Sequence, residues 1–407
     1  MGTMMNYLEN YGKYTFQEMP MTEVDSLALC QLSYLKFDNM VPDVETDGGP
    51  VTLESLERHP DYEKLFADVR YEKENRALLT AMLQGRRFRN MRLNYYVNIV
   101  EEQWETQFSA ITCFLDDGMA YVAYRGTDET IVGWKEDFNM AFLSPVPGQE
   151  YSVRYLDTVA DRFHGDFCIG GHSKGGNFAV YSAMNCRMDI QDRIVRIYSM
   201  DGPGFRPEVL ERCNYEKIAS RITKILPHSS LVGMIFQSDM YFQVVESSTF
   251  GLLQHDPYTW QVVSNHLVQV NDLYERRKNL DNVLNEWILS LNEQQLRTFV
   301  DTMYQVITAS QASNLIDFTA EWRRSMNGII AALKEVDEET REMLKEMVGS
   351  LFEIARDHKK KKMAAKRRHI PENIRHKIAS GRQERENEAG KRKSCRPEAG
   401  NRTEPER

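Results

Sequence analysis

Apolar positions along the first 270 residues switch repeatedly between a spacing near 3.6 and a spacing of 2, so helices and strands take turns along the chain. Val24, Leu27, Leu29, Leu32 and Leu35 carry the helical spacing behind Thr22-Glu23-Val24-Asp25, a capping-box pattern that predicts a helix running to about Leu35. A loop with Pro42 and Gly48-Gly49-Pro50 follows, then helical text from Leu53 to about Gln84. Leu93 to Val100 and Gln107 to Leu115 read as strands, and Asp116-Asp117-Gly118 marks a hairpin turn into a strand from Met119 to Tyr124. Leu156, Val159, Ala160 and Phe163 give a helix, Phe167-Cys168-Ile169 the end of a buried strand, and Phe178, Ala179, Tyr181, Ala183 and Met184 a second helix. Ile194 to Met200 and the run Tyr241 to Val245 read as further strands.

Strand and helix in alternation predict an α/β fold: a mostly parallel sheet flanked by helices, with ligands bound at the carboxyl ends of the strands. Beyond about residue 275 the pattern becomes wholly helical. Leu296, Phe299, Val300, Met303, Val306 and Ile307 form one stripe and Met343, Leu344, Met347, Val348, Leu351 and Phe352 another. Such stripes are packing surface, either against the α/β body or in a dimer interface. The expected organisation is therefore an α/β domain over 1–275, a helical appendage over 276–357 and a tail over 358–407.

Charge sets that tail apart. Residues 358–407 hold 17 Lys/Arg against 7 Asp/Glu, about +10, which leaves about −19 on the rest of a chain whose net charge is −9. With Lys359-Lys360-Lys361-Lys362, Lys366-Arg367-Arg368 and few apolar residues, the tail is expected to be disordered, either as a solvated extension or in contact with an anionic surface. It has no aromatic interleaving and no nucleic-acid-binding motif. The N-terminus has no apolar h-region and no window is long enough to span a bilayer, which favours a cytoplasmic location. Cys30, Cys113, Cys168, Cys186, Cys213 and Cys395 are widely spaced, form no C-x-x-C pair, and fit a reducing compartment; Cys113 and Cys168 read as small buried hydrophobes. Neither a metal nor a cofactor is implied.

The chemistry concentrates in Gly170-Gly171-His172-Ser173-Lys174-Gly175-Gly176-Asn177, which sets G-x-S-x-G between a strand and a helix. An abrupt strand-to-helix turn holds its serine in a strained conformation, lifts the hydroxyl clear of the sheet and needs small residues two positions to either side. The spacing matches neither a P-loop nor a dinucleotide fingerprint. Lys174 is expected to contribute its backbone N–H, its side chain going to solvent or to a nearby carboxylate. Other features fall at predicted strand ends: Tyr124-Arg125-Gly126-Thr127-Asp128, Asp201-Gly202-Pro203-Gly204 and Gln254-His255-Asp256-Pro257.

Taken with Gly133 to Phe138 (GWKEDF), Met200 to Phe205 (MDGPGF), Ser229 to Met234 (SSLVGM) and Gln254 to Trp260 (QHDPYTW), these segments resemble the α/β-hydrolase superfamily. The likeness is to class 3 lipase-like proteins and more closely to the Mbeg-like bacterial family of hydrolase-like proteins, over roughly residues 20 to 265. The resemblance implies an α/β-hydrolase fold with Ser173 as nucleophile, His255 as general base, and the backbone N–H groups of Thr127 and Lys174 as oxyanion hole, with the Thr127 hydroxyl as a further donor. His172 reads as structural, His228 precedes the region where an acid is expected, and His266 lies in a helical run. The acid departs from the pattern: Pro227 to Gly233, where class 3 lipases carry it, contains no Asp or Glu. Asp201 keeps the chain order Ser, Asp, His; Asp239 and a Ser–His pair without a carboxylate stay open beside it, as does Asp201 as a mere turn former.

Glu136 and Asp137 are adjacent and cannot face each other as a catalytic pair; local hydrogen bonding or pairing with Arg125 is expected. Trp134 to Pro147, with Phe138, Met140, Phe142 and Leu143, is apolar enough to cover the site as a lid or to be ordinary core. The expected activity is that of a serine hydrolase acting on a small acyl ester, thioester or lipid-like substrate through an acyl-enzyme. The alternative is an inactive hydrolase fold kept as a binding or scaffolding module, favoured by the missing acid at Ser229 to Gly233. The oligomeric state is not legible in the chain.

Overall fold

The computed structural model describes residues 1–270 other than 47, 68, 102, 104, 105, 128–135, 137–139, 141–143, 231, 237–240 and 250, together with 283, 285–292, 294, 295, 298 and 338–368. Eight strands form one sheet in the order of the sequence: β1 (Val51–Thr52), β2 (Arg92–Glu101), β3 (Thr106–Phe114), β4 (Ala120–Tyr124), β5 (Phe167–His172), β6 (Ile194–Met200), β7 (Ile222–Pro227) and β8 (Phe242–Val245). β1 to β4 pair antiparallel and β4 to β8 pair parallel. The hairpin between β3 and β4 turns at Asp116-Asp117-Gly118 as expected, with Gly118 at φ 92°.

Alternation along the central strands sends side chains to two cores, one on each face. Tyr121 and Ala123 of β4, Cys168 of β5, and Tyr198 and Met200 of β6 join the core beneath the helices Met4–Tyr11, Glu23–Leu32 and Glu72–Gln84. Ala120, Val122, Tyr124, Phe167, Ile169 and Ile197 join the opposite core beneath the helices Pro147–Arg162 and Lys174–Asn185. This is an α/β-hydrolase fold, with the parallel half of the sheet buried on both faces. Burial also accounts for the cysteines: Cys30, Cys113, Cys168 and Cys186 lie in the core, and desolvation pushes the Cys30, Cys168 and Cys186 thiols up to about 12.

The Thr22 capping box forms as read, with Thr22 Oγ1 accepting from the Asp25 N–H and the Asp25 carboxylate accepting from the Thr22 N–H at 2.8 Å. The same carboxylate has a second role that periodicity does not show. Arg87 donates to both Asp25 oxygens at 2.6 Å, Tyr7 donates to Oδ1 at 2.8 Å, and the guanidinium also reaches the carbonyls of Tyr14, Thr15, Met19 and Pro20. One buried ion pair thus ties the N-terminal helix and its connecting loop to the body.

Three expectations change. The helical text from Leu53 to Gln84 is not one helix but Leu53–Leu56, a 3-10 turn at Tyr62–Phe66, and Glu72–Gln84. Pro60 disfavours helical backbone at His59, and Tyr71 sits left-handed at φ 60°. His266 is not helical: it lies in the short antiparallel pair β9 (Val262–Val263) and β10 (His266–Leu267), exposed, with Nδ1 3.0 Å from Glu23 Oε1. The helix Glu338–Arg368 runs through position 358, so the first eleven residues of the expected disordered tail are helical. Contacts divide the chain into Met1–Leu351 and Phe352–Arg407, a boundary inside that helix. Of the two helical stripes, Leu296, Phe299, Val300, Met303, Val306 and Ile307 all lie outside the described residues. Met347 of the other is buried, and its carbonyl accepts from the Trp287 indole at 2.8 Å.

Because Arg87 and Asp25 are both fully buried, removing one leaves the other charge without its counterion. Arg87→Ala should lower unfolding stability by about 3–5 kcal/mol, read as a shift in the urea midpoint, whereas Arg86→Ala, at an exposed pair, should change it by less than about 1 kcal/mol.

Candidate active site

Adjacent parallel strands bring two polar residues to the same height. His172 of β5 is paired with Met200 of β6, and Met200 with Ile225 of β7, so Ser173 and Asp201 are each the first residue past a strand. The ladder continues one bond further on each: Ser173 N–H donates to Met200 O at 2.9 Å and Asp201 N–H to Ile225 O at 2.8 Å. Both then turn sharply through positive φ, 58° at Ser173 and 49° at Asp201, conformations that cost non-glycine residues about 1–3 kcal/mol each. At Ser173 the turn leads into the helix Lys174–Asn185. Gly171 and Gly175 are required by close approach: a Cβ on Gly171 would lie 2.2 Å from the Gly175 carbonyl carbon, and one on Gly175 would lie 2.2 Å from Tyr124 O.

His255 enters from a 3-10 turn, Gly251–His255, that follows β8. Its Nε2 is 2.9 Å from Ser173 Oγ and its Nδ1 is 2.6 Å from Asp201 Oδ2. A carboxylate only accepts, so Nδ1 carries the proton and Nε2 is left to accept from the serine hydroxyl. Asp201 is 1% exposed, and its other oxygen, Oδ1, accepts from Ser230 Oγ at 2.5 Å and from Gly233 N–H at 3.2 Å. The segment after β7, which lacks an acid of its own, therefore supplies donors to the acid on β6. Asp239 lies outside the described residues.

His172 has a positioning role. Its Nε2 donates to the His255 carbonyl at 2.8 Å, its Nδ1 accepts from Tyr34 OH at 3.1 Å, and the two imidazole rings lie 4.6 Å apart. Burial, reinforced by the nearby His255, holds His172 well below the ordinary 6.5, which keeps it neutral and matches the one-donor, one-acceptor arrangement. The histidine turn is fixed from the other side by Gln254, which is fully buried. Its Oε1 accepts from Ser229 N–H at 2.7 Å, its Nε2 donates to Thr249 O at 2.6 Å and lies 2.7 Å from His228 Nε2, and its carbonyl accepts from Trp260 Nε1 at 2.8 Å.

The loop after β4 lies against the serine: a Cβ on Gly126 would come within 3.2 Å of Ser173 Cβ and 2.5 Å of His172 O. Thr127, next in that loop, is buried, and Lys174 is the first residue of the elbow helix. The Lys174 side chain does not go to solvent; it is 1% exposed and pairs with Glu136 at 2.9 Å. Glu136 accordingly pairs with Lys174 and not with Arg125, whose guanidinium donates to Asn98 Oδ1 at 2.9 Å. Asp137 lies outside the described residues, as do Trp134, Phe138, Phe142 and Leu143 of the expected cover; Met140 is buried in the core beside the elbow helix. Among the described residues no cluster of three His, Cys, Asp or Glu side chains is placed to hold a metal ion, and no helix is long and apolar enough to cross a membrane.

Ser173, His255 and Asp201 thus form one hydrogen-bonded array at a strand-to-helix elbow of an α/β-hydrolase fold. The model of the Mbeg1-like family matches residues 82–305, and the chain belongs to that family. Similar solved structures include a lipase–propeptide complex from Rhizomucor miehei, 15% identical over 56% of this chain and 69% of that one with a TM-score of 0.32. M37 lipase is also similar, 14% identical over 53% and 70% with a TM-score of 0.32. No curated protein matches the chain.

Because the unfolded chain binds a proton on His172 below 6.5 and the folded protein does not, stability falls as pH drops below 6.5, by up to about 1.4 kcal/mol per unit. Above 6.5 the contribution is fully present. His172→Gln should flatten the slope of the urea midpoint between pH 6.5 and pH 5.

Proposed function

We propose that the protein is a serine hydrolase that cleaves an ester or thioester of an acyl substrate through an acyl-enzyme on Ser173. The observation that carries this reading is the continuous chain Ser173 Oγ, His255 Nε2, His255 Nδ1 and Asp201 Oδ2, at 2.9 and 2.6 Å, on a strained elbow. In the reaction Ser173 Oγ attacks the acyl carbonyl carbon while its proton passes to His255 Nε2. The resulting imidazolium is held by Asp201, which the Ser230 hydroxyl and Gly233 N–H keep oriented. Collapse of the tetrahedral intermediate expels the alcohol or thiol, which takes the proton from Nε2. Water, deprotonated by the same nitrogen, then attacks the acyl-serine and releases the acid.

The negative oxygen of both tetrahedral intermediates needs donors that are in place before it forms. The Lys174 N–H at the start of the elbow helix and the Thr127 N–H in the loop lying against Ser173 are assigned that role, the former aided by the helix N-terminus. The ground for a non-catalytic reading is the absence of a carboxylate from Ser229 to Gly233. Those residues instead donate to Asp201, which supports the hydrolase reading.

A fluorophosphonate probe should label Ser173 in the wild-type protein and leave Ser173→Ala unlabelled, as read by peptide mass spectrometry. On p-nitrophenyl esters, Asp201→Asn should lower kcat by about 10³–10⁴ through loss of the imidazole tautomer, with His255→Ala at least as severe. Absence of labelling beside a labelled lipase control would count against the proposal.

A further inference from the structure

Glu136 is fully buried, and three elements of the fold meet on its carboxylate. Oε2 accepts from the Gln107 N–H of β3 at 3.1 Å and from the Lys174 ammonium of the elbow helix at 2.9 Å, and Oε1 accepts from the Gly148 N–H of the helix Pro147–Arg162 at 2.9 Å. Lys174 Nζ also donates to Gln107 Oε1 at 3.1 Å. There is no slack around the group: a Cβ on Gly148 would lie 2.7 Å from Glu136 Oε1 and 2.6 Å from Phe178 Cζ.

Stability alone gives no reason for this arrangement. Burying two opposite charges costs about as much in desolvation as their attraction returns, and an ammonium at the first position of a helix opposes the helix dipole. What the pair does fix is the conformation of Lys174. A backbone N–H has no torsion of its own; its direction is that of the Ser173–Lys174 peptide plane. Ser173, at φ 58° with its N–H on Met200 O, holds that plane from one side, and the anchored Lys174 side chain holds it from the other.

We infer that Glu136 is a positioning residue that, through the Lys174 ammonium, aims the Lys174 N–H at the oxyanion. The inference rests on the serine-hydrolase reading of Ser173. The carboxylate touches no reacting atom; it acts by holding a donor in the place the tetrahedral intermediate will need.

Glu136→Gln removes the charge at constant shape, and Lys174→Met removes the ammonium while keeping the N–H. Each full-length variant is compared with the wild type on p-nitrophenyl butyrate and for inhibition by butylboronic acid, a tetrahedral mimic. The expected result is a fall in kcat of about ten- to a hundredfold with KM changed less than about threefold, and butylboronic acid binding weakened by the same factor as kcat/KM. A role confined to folding would shift the urea midpoint and leave both kcat and boronate affinity of the folded variant at the wild-type values. Folded variants with unchanged kcat and unchanged boronate affinity would overturn the inference. Wild-type protein that neither turns over ester nor labels at Ser173 would instead count against the hydrolase reading. Hydrogen exchange over residues 172–178 then decides: exchange unchanged in Glu136→Gln overturns the positioning role, and faster exchange there supports it.

Discussion

The parallel ladder joining β5, β6 and β7 is the constraint on which the site depends. It brings His172, Met200 and Ile225 into one row, so the next residue of two neighbouring strands, Ser173 and Asp201, emerges at the same edge about one strand spacing apart. A register slip of one residue would move either side chain to the opposite face and separate the pair. The hydrophobic cores on both faces hold that register, since each alternate residue of these strands has a committed side. The polar site is thus specified by apolar packing beneath it.

Strain and support lie close together. Ser173 and Asp201 both occupy positive φ, and each is surrounded by groups with a single way to fit. Around the serine these are Gly171, Gly175 and the Tyr124 carbonyl; around the aspartate they are Ser230, Gly233 and the Ile225 carbonyl. Asn177 extends the support sideways by donating to the carbonyls of Pro203 and Gly204 and accepting from Gln149. The elbow helix is therefore bonded both to the loop that carries the acid and to the helix before it. The Arg87–Asp25 pair does comparable work far from the site, closing the N-terminal helix over the other face of the sheet.

Much of this was legible in the chain, and the limits have physical causes. The boundaries of β2, β3, β4, β6 and β8 are legible within a residue or two from their apolar runs, whereas β1 and β7 are not, and Phe167-Cys168-Ile169 begins β5 where the pattern suggests its end; the elbow is readable because its glycines are forced by close approach. Asp201 could be selected by chain order but not distinguished from a turn former, since the distinction lies in what Ser230 and Gly233 do 29 and 32 residues later. A serine that donates to a carboxylate looks in sequence like any other serine. Glu136 and Lys174 were seen separately, and nothing local says that residues 38 positions apart share a buried bond. Gln254 is visible only as part of the segment that carries His255 and Tyr34 gives no signal, and the helical text from Leu53 is divided because Pro60 outweighs the apolar spacing around it.

The bond from His172 to the His255 carbonyl closes a ring. From His172 the path runs along one peptide bond to Ser173, across its hydroxyl to His255 Nε2, through that residue to its own carbonyl, and back to the His172 imidazole. Ser173 and His255 are consequently members of one small cycle and not residues of two loops that happen to meet. The histidine turn is tied to the adjoining strand end at two points, the Ser173 hydroxyl and the His172 imidazole. Opening either bond leaves the histidine turn held by the other and by Asp201, so the ring can close again without a search.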